Sequence, residues 1–145
     1  MIFNSKKKNA IVVGCGRLGT GIASLLSSKG YSVVVIDKDE KAFKKLPQSF
    51  SGLRVTGDAT VTDILTSVNI KNASILAAVT ENDNVNSLIA QVASRIYGVG
   101  RVFARFSDTE KEHLIDGFPI DAVYPYLLSM KEFKRISGLD NEEDI

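Results

Sequence analysis

The sequence predicts an α/β protein built on a doubly wound parallel sheet, and three observations predict it. Apolar runs of strand length alternate with stretches of helical spacing along nearly the whole chain. The first, second and fourth runs are continuously apolar, as expected of parallel strands covered on both faces. A glycine-rich turn, Gly14-Cys15-Gly16-Arg17-Leu18-Gly19, joins the first run to the first helical stretch.

The elements follow in order. Ala10–Val13 reads as the first strand. Leu18, Ile22, Leu25 and Leu26 repeat at helical spacing, and Gly30 stops that helix. Ser32–Ile36 is the second strand. Ala42, Phe43 and Leu46 mark a short second helix ended by Pro47. Leu53–Thr56 is the third strand, and Ile64, Leu65 and Val68 mark a short third helix. Ile75–Val79 is the fourth strand. The longest and most apolar helix carries Val85, Leu88, Ile89, Val92, Ala93 and Ile96, with Gly98 just beyond. Arg101–Arg105 is the fifth strand. Thr109 and Glu112 have capping-box spacing before a helix with Leu114 and Ile115, stopped near Gly117. Ala122–Tyr124 is the sixth strand, and a last helix runs from about Tyr126 to Ser137 after Pro125. Strand–helix alternation implies right-handed crossovers. Six strands in this order imply a Rossmann-type sheet, 3-2-1-4-5-6, with helices on both faces.

The bulk numbers agree with one globular domain. The chain has 145 residues, 44% hydrophobic and 24% charged, enough to bury a core. The expected division is a lysine-bearing lead-in over 1–8, the nucleotide-binding domain over 9–137, and an acidic tail over 138–145. A net charge of +1 gives no field for steering nucleic acid. The single cysteine, Cys15, excludes an internal disulfide and a multi-cysteine metal cage. No apolar run reaches the length of a membrane span, and the lead-in lacks a signal-peptide core. These features predict a cytoplasmic protein.

The glycine turn has the chemistry of a phosphate site. Gly14 permits a sharp exit from the first strand, Gly16 lets backbone N–H groups approach phosphate oxygens, and Gly19 lets the helix pack on the sheet. The helix then presents its positive end to the anion. Arg17 suits either a phosphate or a salt link to a partner subunit. Cys15 meets the need for a small residue in the turn; with no second cysteine it is not read as a redox group.

The ribose and base lie on the other side. Asp37 ends the second strand and can accept hydrogen bonds from both ribose hydroxyls, which disfavours a 2′-phosphate; Lys38 beside it softens that exclusion. Gly57-Asp58-Ala59-Thr60 follows the third strand. There either the Asp58 side chain or a backbone group of Asp58-Ala59 meets the adenine, or the segment is a plain turn with Thr60 or Thr62 as a helix cap. Thr80, Asn82 and Asp83 leave the fourth strand at the topological switch point. They read as partners for phosphate or the far half of a ligand, with one also capping the long helix. Arg105 ends the fifth strand and faces phosphate or a neighbouring subunit. His113 reads as a surface residue. Leu127, Met130, Phe133 and Ile136 form an apolar stripe on the last helix, suited to an equivalent surface on a partner or to its own sheet.

Together, the glycine turn with Arg17, Asp37, Gly57-Asp58-Ala59-Thr60 and Thr80-Glu81-Asn82-Asp83-Asn84-Val85-Asn86 resemble the RCK/KTN (TrkA N-terminal-like) family. These are nucleotide-binding regulatory domains of Trk and Ktr potassium uptake systems and of gated K⁺ channels. Ala104-Arg105 and Asp121-Ala122-Val123-Tyr124-Pro125 are similar to later blocks of that family, so the resemblance spans about residues 9–137. It implies a non-catalytic subunit that binds an adenine nucleotide: NAD(H), ATP, ADP or AMP. It implies that Gly14, Gly16, Arg17, Leu18 and Gly19 hold phosphates, Asp37 with Lys38 the ribose, and Asp58-Ala59 the adenine. Thr80 and Glu81 then face the phosphates, and Arg105 lies near the nucleotide or a subunit contact. It further implies homodimers or rings on the inner face of the membrane, below a K⁺-transporting pore subunit whose gating follows the ring's shape. A second lobe, absent from this sequence, is expected from another chain, unless the subunit has one lobe. Gly117-Phe118-Pro119-Ile120-Asp121 is bulkier than the family's turn at this place. Two rivals are a small NAD-dependent oxidoreductase and a redox-sensing transcriptional regulator. The first needs a proton donor beside the nicotinamide, and the second a DNA-reading module.

Overall fold

The computed structural model describes residues 8–140. Six parallel strands form one sheet in the order β3-β2-β1-β4-β5-β6. They are β1 (Asn9–Val13), β2 (Ser32–Asp37), β3 (Leu53–Thr56), β4 (Ala73–Ala78), β5 (Arg101–Arg105) and β6 (Ile120–Val123). Four α-helices accompany them: α1 (Arg17–Ser28), α2 (Thr62–Ser67), α3 (Asp83–Gln91) and α4 (Pro125–Ser137). The expected architecture and strand order are both present.

The apolar runs pack as doubly covered strands because alternate side chains enter two separate cores. On one face Ile11, Val13, Ile36, Leu76, Ala78, Val102 and Ala104 meet Leu65, Ile89, Ala90 and Ala93 from α2, α3 and the turn beyond α3. On the other face Ala10, Val12, Val33, Val35, Ile75 and Ala77 meet Ala23 of α1 with Leu46 and Phe50. The inner strands β1, β2 and β4 thus bury both of their faces, which is why no polar alternation appears in their sequences.

Register brings the strand exits to one edge. Val13 pairs with Ile36 on one side and Ala78 on the other. Asp37 pairs with Thr56, and Ala78 with Ala104. Gly14, Asp37, Gly57, Val79 and Arg105 therefore leave the sheet at neighbouring points.

Several local expectations need correction. The second and fifth helices are 3₁₀ segments, Glu40–Lys45 and Thr109–Ile115. Their caps are Asp39 and Asp108, each accepting from the N–H two residues on, at 2.9 Å. That short reach suits the tighter turn, and it displaces the expected capping box of Thr109 and Glu112. The long helix is α only to Gln91; Val92–Ile96 widens into a π-turn, with Tyr97 N donating to Val92 O at 3.3 Å. Neither Thr60 nor Thr62 caps α2, whose N-cap position is held by Val61 with no side-chain bond. The sixth strand starts two residues early, at Ile120, because Phe118 of the bulky turn packs against the core and Ile120 is buried beside it. Helix α4 carries no buried residue: Leu127 is 44% exposed, Phe133 54% and Ile136 67%. Met1–Lys7 of the lead-in and residues 141–145 of the tail lie outside the described residues. No helix among the described residues is long and apolar enough to cross a membrane.

Candidate nucleotide-binding site

The site starts from three glycines with three different constraints. Gly14 has φ +102°, and a side chain there would crowd Val79 and Thr80 N at 2.9 Å. The turn can therefore lie against the exit of β4 only with glycine at this position. A side chain on Gly19 would collide with the carbonyl oxygen of Gly14, so α1 sits on the turn through bare backbone. Gly16 differs: nothing lies within 4 Å of where its Cβ would be. The backbone at Gly16 borders open space, so a ligand can approach it there.

That space faces an unneutralised helix start. Gly16 is the N-cap of α1, no side chain caps the helix, and its first turn contains no acid. The first backbone bond back to the turn is Thr20 N to Gly16 O at 2.9 Å, which leaves the N–H groups ahead of it without intrahelical acceptors. An anion fits this electrostatic environment. Arg17 is exposed at its rim.

Asp37 is held in place by the turn itself. Its Oδ2 accepts from Cys15 N at 2.8 Å and its Oδ1 from Asp39 N at 2.9 Å. Each carboxylate oxygen keeps a free lone pair, so the group is oriented yet still able to accept from a sugar hydroxyl. Cys15 is buried, and its Sγ lies 3.7 Å from Thr20 Oγ1. Burial pushes its thiol above the ordinary range, with Thr20 opposing only in part. A protonated buried thiol is a packing group, not a nucleophile.

On the base side, Asp58 closes a local turn. Its Oδ1 accepts from Thr60 N at 2.9 Å and from Thr60 Oγ1 at 2.6 Å, and its Oδ2 lies 3.6 Å from Lys38 Nζ. The Thr60 hydroxyl, the Thr60 amide and Lys38 hold its carboxyl below the usual range. The Asp58 side chain is thus engaged, whereas Ala59 is buried and stands on the core with its backbone at the turn. Lys38 lies beside Asp58 with its side chain still largely exposed.

At the switch point, Thr80 is tied inward. Its amide and hydroxyl both donate to Asn86 Oδ1, at 2.9 and 2.6 Å. Asn82 caps α3 by accepting from Val85 N at 3.0 Å. Asp83 accepts from Ser107 N and Asp108 N, both at 2.9 Å. Glu81 is exposed. Arg105 is half-buried, and its Nε is buried with no hydrogen-bond partner among the described residues. A buried donor with no partner among the described residues can take an acceptor from an anionic group at this edge. His113 is exposed, on the 3₁₀ segment after β5. The open turn, the uncapped helix end and the orphaned guanidinium nitrogen all suit the anionic part of a nucleotide.

Sequence reasoning overlooked Asn86 as a structural group. The signal was present: Asn86 shares a helix face with Ile89 and Ala90, so a polar amide was bound to enter the core.

Known proteins share this fold. The Trk system potassium uptake protein TrkA of Streptomyces coelicolor is 38% identical over 113 residues, covering 78% of this chain and 51% of that protein. The chain spans about half the length of the curated relatives it matches. The TrkA-N domain of the inner membrane protein ybaL from Escherichia coli shares the fold, with a TM-score of 0.77 at 19% identity over 91% of this chain and 98% of that one. The GsuK channel bound to NAD matches with a TM-score of 0.67 at 26% identity, over 82% of this chain and 21% of that one. GsuK has also been solved bound to ADP. The model of the TrkA-N domain family matches residues 10–125, and the chain belongs to that family.

Proposed function

We propose that this protein is a regulatory subunit of a Trk- or Ktr-type potassium uptake system that binds an adenine nucleotide. The observation that carries the proposal is the open backbone at Gly16, set between an uncapped helix start and the oriented Asp37 carboxylate. Gly14, Gly16, Arg17, Leu18 and Gly19 surround the phosphates, and Asp37 takes the ribose hydroxyls. Lys38 flanks the ribose, Asp58 and Ala59 border the adenine through backbone groups, and Thr80, Glu81 and Arg105 form the opposite wall. NAD and ADP in the GsuK structures support this class of ligand, and the potassium uptake relatives support the context. A membrane pore subunit and a second copy of the chain are the proposed partners, at the inner face of the membrane.

Signalling requires that the nucleotide favour one assembly shape by a differential free energy, typically about 1–3 kcal/mol. Catalysis is not part of the proposal. The Thr80 hydroxyl is engaged by Asn86, the Cys15 thiol is buried, and His113 stands on the surface. None of the three is set as a proton donor at the crevice.

Calorimetry with AMP, ADP, ATP and NADH tests the pocket. The unaltered protein is expected to bind at least one of them. Gly16→Val places its side chain in open space, so it folds and blocks the ligand. Asp37→Ala is expected to weaken binding by about 10–100-fold, the value of lost hydrogen bonds to a charged group. Normal binding by both folded variants would overturn the site, and sustained NADH oxidation would overturn the regulatory reading.

A further inference from the structure

The first two turns of α3 contain three buried polar side chains, Asp83, Asn86 and Ser87, and two of them, Asn86 and Asp83, reach across to the exits of β4 and β5. Asn86 is 0% exposed. Its Oδ1 accepts from the amide and the hydroxyl of Thr80, and its Nδ2 donates to Thr80 O and to Arg105 O, both at 2.9 Å. One carboxamide therefore uses both donors and both acceptor sites. It joins the residue that leaves β4 to the last residue of β5, 19 positions away from it in the chain. Asp83, 7% exposed, does the equivalent one turn earlier, gripping the amides of Ser107 and Asp108 beyond β5.

Both strand exits are thus keyed to one helix end. In a low-dielectric interior, a fully satisfied network of this kind is rigid, because each broken bond strands a buried polar group. The Arg105 backbone is fixed while its Nε has no partner among the described residues. We propose that Asn86 and Asp83 are positioning residues that clasp the exits of β4 and β5, holding Arg105 in place for the anionic part of the nucleotide before it arrives. Preorganisation lowers the ordering cost of binding. This rests on the nucleotide reading above, although Asn86 and Asp83 are not themselves among the residues proposed to line the pocket.

Two measurements on the full chain test it. Without ligand, the amides of Thr80, Ser107 and Asp108 are expected to exchange hydrogen about 100-fold more slowly than that of the exposed Glu81, although all four lie outside the strands. Equal exchange rates would overturn the clasp. Calorimetry with ADP then compares unaltered protein, Asn86→Asp, Arg105→Ala and the double variant. Asn86→Asp keeps an acceptor for Thr80 but turns a second carboxylate oxygen toward the carbonyls of Thr80 and Arg105. It is expected to weaken ADP about tenfold, and the double variant should bind within about twofold of Arg105→Ala alone. Fully additive losses, or undiminished binding by Asn86→Asp, would overturn the role through Arg105. Should Asn86→Asp fail to fold, Asp83→Asn takes its place in the cycle with the same criterion. Slow exchange in a protein that binds no adenine nucleotide would bring down the nucleotide reading instead, and the positioning role with it.

Discussion

The two walls of the candidate cleft are built on opposite principles. The switch-point wall uses buried polar side chains that reach across the chain: Asn86 to Arg105, Asp83 to Ser107 and Asp108. The base-side wall uses exposed groups that mostly satisfy near neighbours: Asp58 to Thr60, two residues on, and Asp39 to Lys41. Long-range bonds made in the interior tie separate strands into one rigid edge. Local bonds made at the surface shape a turn and leave it free to adjust, since water can replace any of them. A nucleotide held here would meet a preset phosphate side and a more adaptable base side.

Substitutions can break that contrast. The largest effect is expected from Gly19→Val, which forces a side chain into the Gly14 carbonyl. The backbone there has no room to yield, and thermal melts should show either no folded protein or a loss of about 3 kcal/mol or more. Asp83→Ala comes next, at about 3 kcal/mol, because the amides of Ser107 and Asp108 lose a buried, charged acceptor. Denaturant titration checks it, and a loss no greater than that of Asp58→Ala would erase the difference between the walls. Asp58→Ala itself should barely change the midpoint at pH 7, since its partners regain water.

The pH dependence sharpens the contrast at its small end. The Asp58 carboxyl is held below its ordinary 3.8. Its contribution is therefore present above that value and fades as pH falls through the lower, folded one. Acid melts of the Asp58→Ala variant should lose this slope. Tyr124 shows the opposite sign. Burial, then the nearby Glu112 and Asp116 carboxylates, push it from 10.0 up to about 12. Its hydroxyl is buried without a hydrogen-bond partner among the described residues, and its ring packs 6.2 Å from that of Phe106. Between pH 10.0 and about 12 the unfolded chain loses the proton and the folded one keeps it, so stability falls across that window. Tyr124→Phe should remove the alkaline loss and cost no stability at pH 7. An unchanged alkaline slope in that variant would show that Tyr124 is not its source.

Much of this molecule is legible in its sequence, for local reasons. Continuous apolar runs, Gly14 and Gly19 at the required spacing, and Asp37 at a strand end determine a doubly wound sheet and the place of the candidate site, because strand burial and glycine conformation depend on few neighbours. The 3₁₀ caps at Asp39 and Asp108 were hidden by better-known cap patterns. The bonds of Thr80, Arg105, Asn86 and Asp83 were decided only by tertiary structure. Spacing along a chain says which face of a helix a side chain occupies, but the carbonyls and amides it meets belong to loops brought alongside by the whole sheet, and a buried polar group must bond whatever the fold places within reach.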